Sequence, residues 1–332
     1  MTGPIPHWPG RMVALAAGEQ VYVAETPEPV PAVLASGDDD PPQPPGDTEL
    51  VLCVHGMSGA ATNWTDFLAE LVPDFAGAAV DLPGSGFSPP PAAKRGYSIT
   101  ALARTVIRLI EALDRGPVHL VGNSMGGAVS IRVAAARPDL LRTLTLVSPV
   151  LPDLLVRPEL LRFPVAGLPG IGEWVMRRTQ RVPAENRVAG VVATCYSDPG
   201  VLHPDRFWHD VAELKRRDEL AYSAATLSRA ARTIVAENLR PRRYSLWRAA
   251  ERITVPALVT FGSRDRLVNP RLAAPARRAF RDATVLVLPR TGHVAQMERP
   301  ELVARLFREM VDRTRARGEA AGNSGRHDPV DA

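Results

Sequence analysis

A serine hydroxyl is a poor nucleophile at neutral pH. It needs a base beside it, and the base needs a carboxylate to orient it. Ser124 stands where such activation is feasible, at the centre of Gly122-Asn123-Ser124-Met125-Gly126, a G-x-S-x-G. The run before it, Val118-His119-Leu120-Val121, is short and apolar enough for a buried strand, and the residues after it carry helical spacing. A strand that turns this sharply into a helix strains the backbone of its central residue and exposes that side chain at the turn tip. The flanking glycines leave room for the neighbouring strand and helix. The competing reading is a glycine-rich turn whose serine only caps the next helix.

Position selects the base among seven histidines. His293, in Thr291-Gly292-His293-Val294-Ala295, follows the last expected strand, and Asp265, in Gly262-Ser263-Arg264-Asp265-Arg266, follows the strand before it. In a parallel sheet both fall on the carboxyl edge, with Ser124. Asp153 is a second candidate acid. Asp81 reads as a turn residue and His55 as a structural hydrogen-bonding residue. Acyl transfer also needs donors at the developing oxyanion. The backbone N–H of Met125, at a helix start, is one candidate. The N–H of Met57, in the loop His55-Gly56-Met57-Ser58-Gly59, is the other. This chemistry requires no cofactor and no metal.

The elements that must hold these residues alternate. Strands are expected at Leu50–His55, Ala78–Val80, Val118–Val121, Leu141–Val147, Ala257–Phe261 and Thr284–Leu288. Helices are expected between them, with a hairpin of Val13–Ala16 and Gln20–Ala24 in front. That order implies an α/β fold with a mostly parallel sheet and helices on both faces. The alternation stops at Pro149, and residues 151–245 hold candidate helices but no strand. The expected organisation is a core of residues 1–150 and 246–316 and an inserted helical lid over 151–245. Residues 27–47 form a Pro-rich insertion, and 317–332 a disordered tail after a last helix ending near Arg315.

The chain has 332 residues, 45% hydrophobic and 23% charged, with a formal net charge of +4. No basic block is interleaved with aromatic residues, which argues against nucleic acid as a partner. The lid's charge suits anionic substrates or lipid surfaces, although a solvated arginine-rich face explains it as well. Cys53 and Cys195 are expected as buried free thiols, in keeping with a cytoplasmic protein. No leader peptide and no spanning segment is expected.

Together His55–Gly59, Asp81-Leu82-Pro83-Gly84-Ser85-Gly86-Phe87-Ser88, Gly122–Gly127, Gly262–Val268 and Thr291–Pro300 resemble the lid-bearing serine hydrolases of the α/β-hydrolase fold. The resemblance implies an eight-stranded sheet and a Ser124–Asp265–His293 triad. A serine at the elbow argues against the haloalkane dehalogenases and epoxide hydrolases of that fold. The elbow is also similar to that of the meta-cleavage-product C–C hydrolases, in which an Asn at the position of Asn123 helps bind substrate. Two departures weigh against that subfamily: Met57-Ser58-Gly59-Ala60 in the oxyanion loop, and Val294 where it usually has Trp. The leading expectation is therefore a carboxylic-ester hydrolase acting on a small-molecule or lipid ester. A C–C hydrolase of a dienoate, or a ligand sensor that keeps the triad, is the alternative.

Overall fold

Short apolar runs become an eight-stranded sheet in the computed structural model, which describes residues 4–27, 48–72, 74–153 and 162–324. Nearly all of the Pro-rich insertion and the end of the expected tail lie outside the described residues. The strands are β1 (Gly10–Ala14), β2 (Gln20–Glu25), β3 (Leu50–Val54), β4 (Ala76–Val80), β5 (Val118–Asn123), β6 (Leu141–Val147), β7 (Ala257–Gly262) and β8 (Ala283–Leu288). They lie in the order β1-β2-β4-β3-β5-β6-β7-β8. β1 and β2 pair antiparallel, β2 joins β4 antiparallel, and every other pairing is parallel. The first strand begins and ends earlier than expected, because Ala16–Gly18 turn through left-handed conformations at Ala17 (φ 68°) and Gly18 (φ 74°).

Both faces of the sheet are covered, as strands apolar on both sides require. Leu52 and Val54 of β3 point one way, into a core shared with α2 (Ile99–Leu113) and α3 (Met125–Ala136). Val51 and Cys53 point the other way, into a core with α1 (Thr65–Leu71) and a long C-terminal helix. This period-two division fixes register, since a slip of one residue would exchange the two faces.

Between β6 and β7 the chain leaves the sheet and forms α4 (Arg162–Gly167), α5 (Ile171–Thr179), α6 (Ala184–Cys195), α7 (Pro204–Asp218) and α8 (Ser223–Asn238). Val188, Val192, Tyr196 and Val211 of this insertion form a small apolar cluster with Val294 of the core. Two bonds tie α8 to the core. Thr226 Oγ1 lies 3.0 Å from Tyr97 Oη, and the buried Glu237 pairs with Arg132 of α3 at 3.1 Å. α9 (Leu246–Ala250) then packs on α3, and α10 (Ala273–Ala279) precedes β8.

α11 (Ala295–Glu298) and α12 (Pro300–Ser324) complete the chain. α4 and α9 are too short to show a period in sequence. The expected end of the last helix near Arg315, with a tail from 317, is corrected: α12 runs on to Ser324. Ala316, Arg317, Glu319, Ala320 and Ala321 are good helix formers, and Arg317 pairs with Asp282 at 3.0 Å.

Candidate active site

The site begins with the turn at Ser124. Its φ of 55° and ψ of −119° lie outside the regions open to L-residues at low cost. The strain is held by backbone bonds: Ser124 N–H donates to Val147 C=O at 3.0 Å, and Ser124 C=O accepts from Ala128 and Val150. The glycines on either side are obligatory by space. A Cβ on Gly126 would fall 2.2 Å from Val54 O, and one on Gly122 would fall 2.5 Å from Ser130 Oγ. The Ser124 side chain makes no capping bond to α3, so the helix-cap reading does not describe it.

Asp265 and His293 meet as their positions after β7 and β8 imply. His293 Nδ1–H donates to Asp265 Oδ2 at 2.9 Å, and both residues are buried. Asp265 Oδ1 accepts the N–H groups of Leu267 and Val268 at 2.8 and 2.9 Å. Burial alone would raise the Asp265 carboxyl. The charge and hydrogen bond of His293, with the Val268 N–H and the Ser148 hydroxyl, outweigh it and hold the group below the ordinary carboxylate range. Asp153, the second candidate acid, also lines the cavity, but Asp265 is the carboxylate on His293.

Ser124 and His293 share the wall of one cavity of about 520 Å³ with Met57 and Asn123. The loop after β3 abuts the turn, since a Cβ on Gly56 would come within 3.0 Å of Ser124 Cβ. Among the described residues neither the Met57 nor the Met125 N–H has a hydrogen-bond acceptor. His55 supports this loop. Its Nδ1–H donates to Gly56 C=O at 2.7 Å, and its Nε2 accepts from Leu82 N–H at 2.9 Å. Full burial lowers its pKa to about 4, so it is neutral, as that tautomer demands. Asp81 accepts from Ala61 and Phe87, and burial lifts its carboxyl to about 6.

Asn123 lines the cavity, as a substrate ligand would, and also makes two structural bonds. Its amide N–H₂ donates to the carbonyls of Val147 at 3.0 Å and His293 at 3.1 Å. Both donors are thereby committed to tying the nucleophile strand to the histidine loop.

Three residues escape sequence reasoning. His293 N–H donates to Cys195 C=O at the end of α6, at 2.6 Å. Glu298 accepts from Gly292 N–H at 2.6 Å, from Ser197 N–H at 3.1 Å and from the Ser197 hydroxyl. Gly292 must be glycine here, because a Cβ would sit 2.3 Å from Cys195 O. The only sequence signal is a carboxylate a few residues after the histidine. Neither Cys53 nor Cys195 is in a disulfide, and Cys195 is half-buried rather than buried.

The rest of the wall is mainly aliphatic, including Val150, Leu151, Val188, Leu214, Leu227 and Ile234; Tyr196 is its one Phe, Tyr or Trp side chain among the described residues. Charged groups gather on one side. Arg217 Nη1 donates to Ser58 C=O at 2.7 Å, with Glu213 nearby, and burial lifts the Asp210 carboxyl to about 6. Arg187 is paired with Asp218.

Residues 49–300 match the α/β-hydrolase-fold family, and the chain belongs to it. It is 32% identical over 262 residues to the dihydrolipoyllysine-residue acetyltransferase component of the acetoin cleaving system of Pseudomonas putida. That match covers 78% of this chain and 62% of the relative, so the chain spans about three-fifths of that protein's length. It is 24% identical over 280 residues to a pimeloyl-[acyl-carrier protein] methyl ester esterase of Neisseria meningitidis serogroup B, covering 81% of this chain and 95% of the relative. Among solved structures it is similar to 2-hydroxy-6-oxo-6-phenylhexa-2,4-dienoate hydrolase from Rhodococcus sp. strain RHA1. There the TM-score is 0.68 at 19% identity, with 91% of this chain and 99% of that one covered.

Proposed function

We propose that the protein is a serine hydrolase of carboxylic esters, working through an acyl-enzyme on Ser124. The observation that carries this reading is the Asp265–His293 pair, whose histidine lines the same cavity as a strained, uncapped Ser124. Ser124 Oγ attacks the ester carbonyl while His293 Nε2 takes its proton. The carbonyl oxygen becomes an oxyanion that accepts from the Met57 and Met125 N–H groups. His293 then gives the proton to the departing alkoxide, and the alcohol leaves. Water attacks the acyl-enzyme with His293 again as base, freeing the acid and Ser124. Asp265 keeps the Nδ1–H tautomer and stabilises the imidazolium.

Residues 151–245 act as a lid over this site, and the aliphatic wall suits a flexible acyl chain better than an aromatic one. The esterase relative supports the ester reading. For the C–C hydrolase alternative only the Asn123 carbonyl is left to contact substrate, because both amide donors are committed.

Labelling with a fluorophosphonate and a burst with p-nitrophenyl esters test the proposal. Wild type takes the label and Ser124→Ala does not. Equal labelling of the two, or faster turnover of a dienoate than of short esters, overturns it. Ligand binding with negligible turnover of either substrate class would instead favour the sensor reading.

A further inference from the structure

The outer face of the lid carries an apolar surface with unpartnered positive charge along its edge. α4 and α5 both turn small residues onto α8. A Cβ on Gly167 would lie 3.0 Å from Arg232 Cα, and one on Gly172 would lie 2.5 Å from Ser228 Oγ. Ser228 Oγ–H donates to Ala166 C=O at 2.9 Å. With the small residues inward, Val165, Leu168 and Ile171 face solvent at about half exposure, and Trp174 is 63% exposed. Large apolar side chains grouped this way on a surface mark an interaction site.

Arg177, Arg178 and Arg181 follow directly and are exposed. Among the described residues none of their guanidinium groups has an ion pair or hydrogen-bond acceptor. This is unlike Arg187, Arg206, Arg216 and Arg217 of the same lid, each of which holds a carboxylate or carbonyl. Glu173 is the one acid between positions 165 and 184.

We propose that this face docks on an anionic lipid bilayer, with Trp174 at the headgroup boundary and the three arginines against lipid phosphates. An apolar face edged by arginine, with an amphipathic indole between, matches the layering of a membrane surface. The patch is also continuous with the cavity that holds Ser124. Thr179, the last residue of α5, and Val191 are both exposed, and both line that cavity. A docked lid therefore sets the cavity rim against the bilayer, and the substrate class becomes an aliphatic ester drawn from the lipid phase. The route into the cavity rests on the ester-hydrolase reading above; the docking itself does not.

Flotation of the full-length protein with phosphatidylcholine vesicles, with and without phosphatidylglycerol, tests it. Wild type floats with the anionic vesicles, and raised salt weakens the binding. The triple variant Arg177→Gln, Arg178→Gln, Arg181→Gln loses about a hundredfold in partitioning, at roughly fivefold for each arginine near such a surface. Trp174→Ser weakens binding further. The control Arg305→Gln with Arg313→Gln, also exposed but on α12, leaves it unchanged.

Hydrolysis of soluble p-nitrophenyl butyrate stays at the wild-type rate in every variant, while hydrolysis of an ester presented in anionic vesicles falls with the binding. Failure of wild type to float with either vesicle overturns docking, as does undiminished flotation of the triple variant. So does a patch that proves to join two copies of the chain, seen as a dimer on size exclusion that the Trp174→Ser variant dissociates. Failure of wild type to cleave the soluble ester removes the ester reading and leaves the flotation result to judge the docking.

Discussion

The backbone N–H of His293 donates to the carbonyl of Cys195 across 2.6 Å. The bond joins the histidine loop to the last residue of α6 in the helical insertion between β6 and β7. Glu298 reinforces it by holding Gly292 on one side and Ser197 on the other. This end of the insertion is thus part of the support for His293. We expect Glu298→Ala to lower kcat by about 10²-fold, the scale of an ångström's misplacement at a reacting centre. KM for a short ester should change little. Steady-state kinetics decide it, and a change confined to KM would remove the positioning role.

Asp265 divides its two oxygens between His293 and two backbone amides. In Asp265→Asn the amides retain the carbonyl oxygen, so the new N–H₂ faces Nδ1 and forces the opposite tautomer. The expected outcome is a fall in kcat on the order of 10⁴ with the fold intact. Single-turnover acylation rates and circular dichroism measure the two parts.

Two glycines make opposite predictions for the same substitution. Gly126→Ala drives a methyl group against backbone oxygens of β3 and the following residue, 2.2 and 2.5 Å away, which cannot swing aside. We expect a loss of about 1–3 kcal/mol. Gly190, inside α6, has nothing within 4 Å of its would-be Cβ. Gly190→Ala should gain about 0.5–1 kcal/mol from helix propensity. Urea unfolding of both variants tests the pair.

His55 is neutral in the fold, with its pKa lowered by burial to about 4 from the ordinary histidine value near 6.5. The unfolded chain therefore binds this proton first as pH falls. The stability His55 contributes is complete above about pH 6.5 and is lost progressively down to about pH 4, on the order of 3 kcal/mol in all. His7, also lowered to about 4, adds a slope of the same sign. Denaturant midpoints between pH 7 and pH 4 should fall more steeply in wild type than in His55→Asn. Parallel slopes would count against the assignment.

The turn at Ser124 is legible in the sequence because backbone geometry there admits so few residue types. Glycine is forced at positions 122 and 126, and the strand before the turn is apolar on both sides. Asp265 and His293 are legible for a related reason, since strand ends in a parallel sheet share an edge. What sequence does not disclose are contacts between distant segments made by groups that every residue carries. The Cys195 carbonyl on His293 is a backbone group, so no residue type announces it. Asn123 shows the converse. The resemblance to C–C hydrolases suggests a ligand for substrate, while packing also turns its amide toward two carbonyls. That the insertion is helical is legible in the sequence, but the seating of its helices on the histidine loop is not.

β6 and β7 are neighbours in the sheet, yet residues 148–256 run between them. Closing so long a loop costs about 2 kcal/mol more in chain entropy than closing one a tenth its length, and such closures slow folding. Ser124 lies on the N-terminal side of that gap; Asp265 and His293 both lie beyond it. In a chain emerging from the ribosome, Ser124 therefore appears well before His293, the proposed base. On the proposed roles of these residues, reactivity waits for the pairing of β7 with β8, which sets the order of synthesis as a safeguard on unfinished molecules.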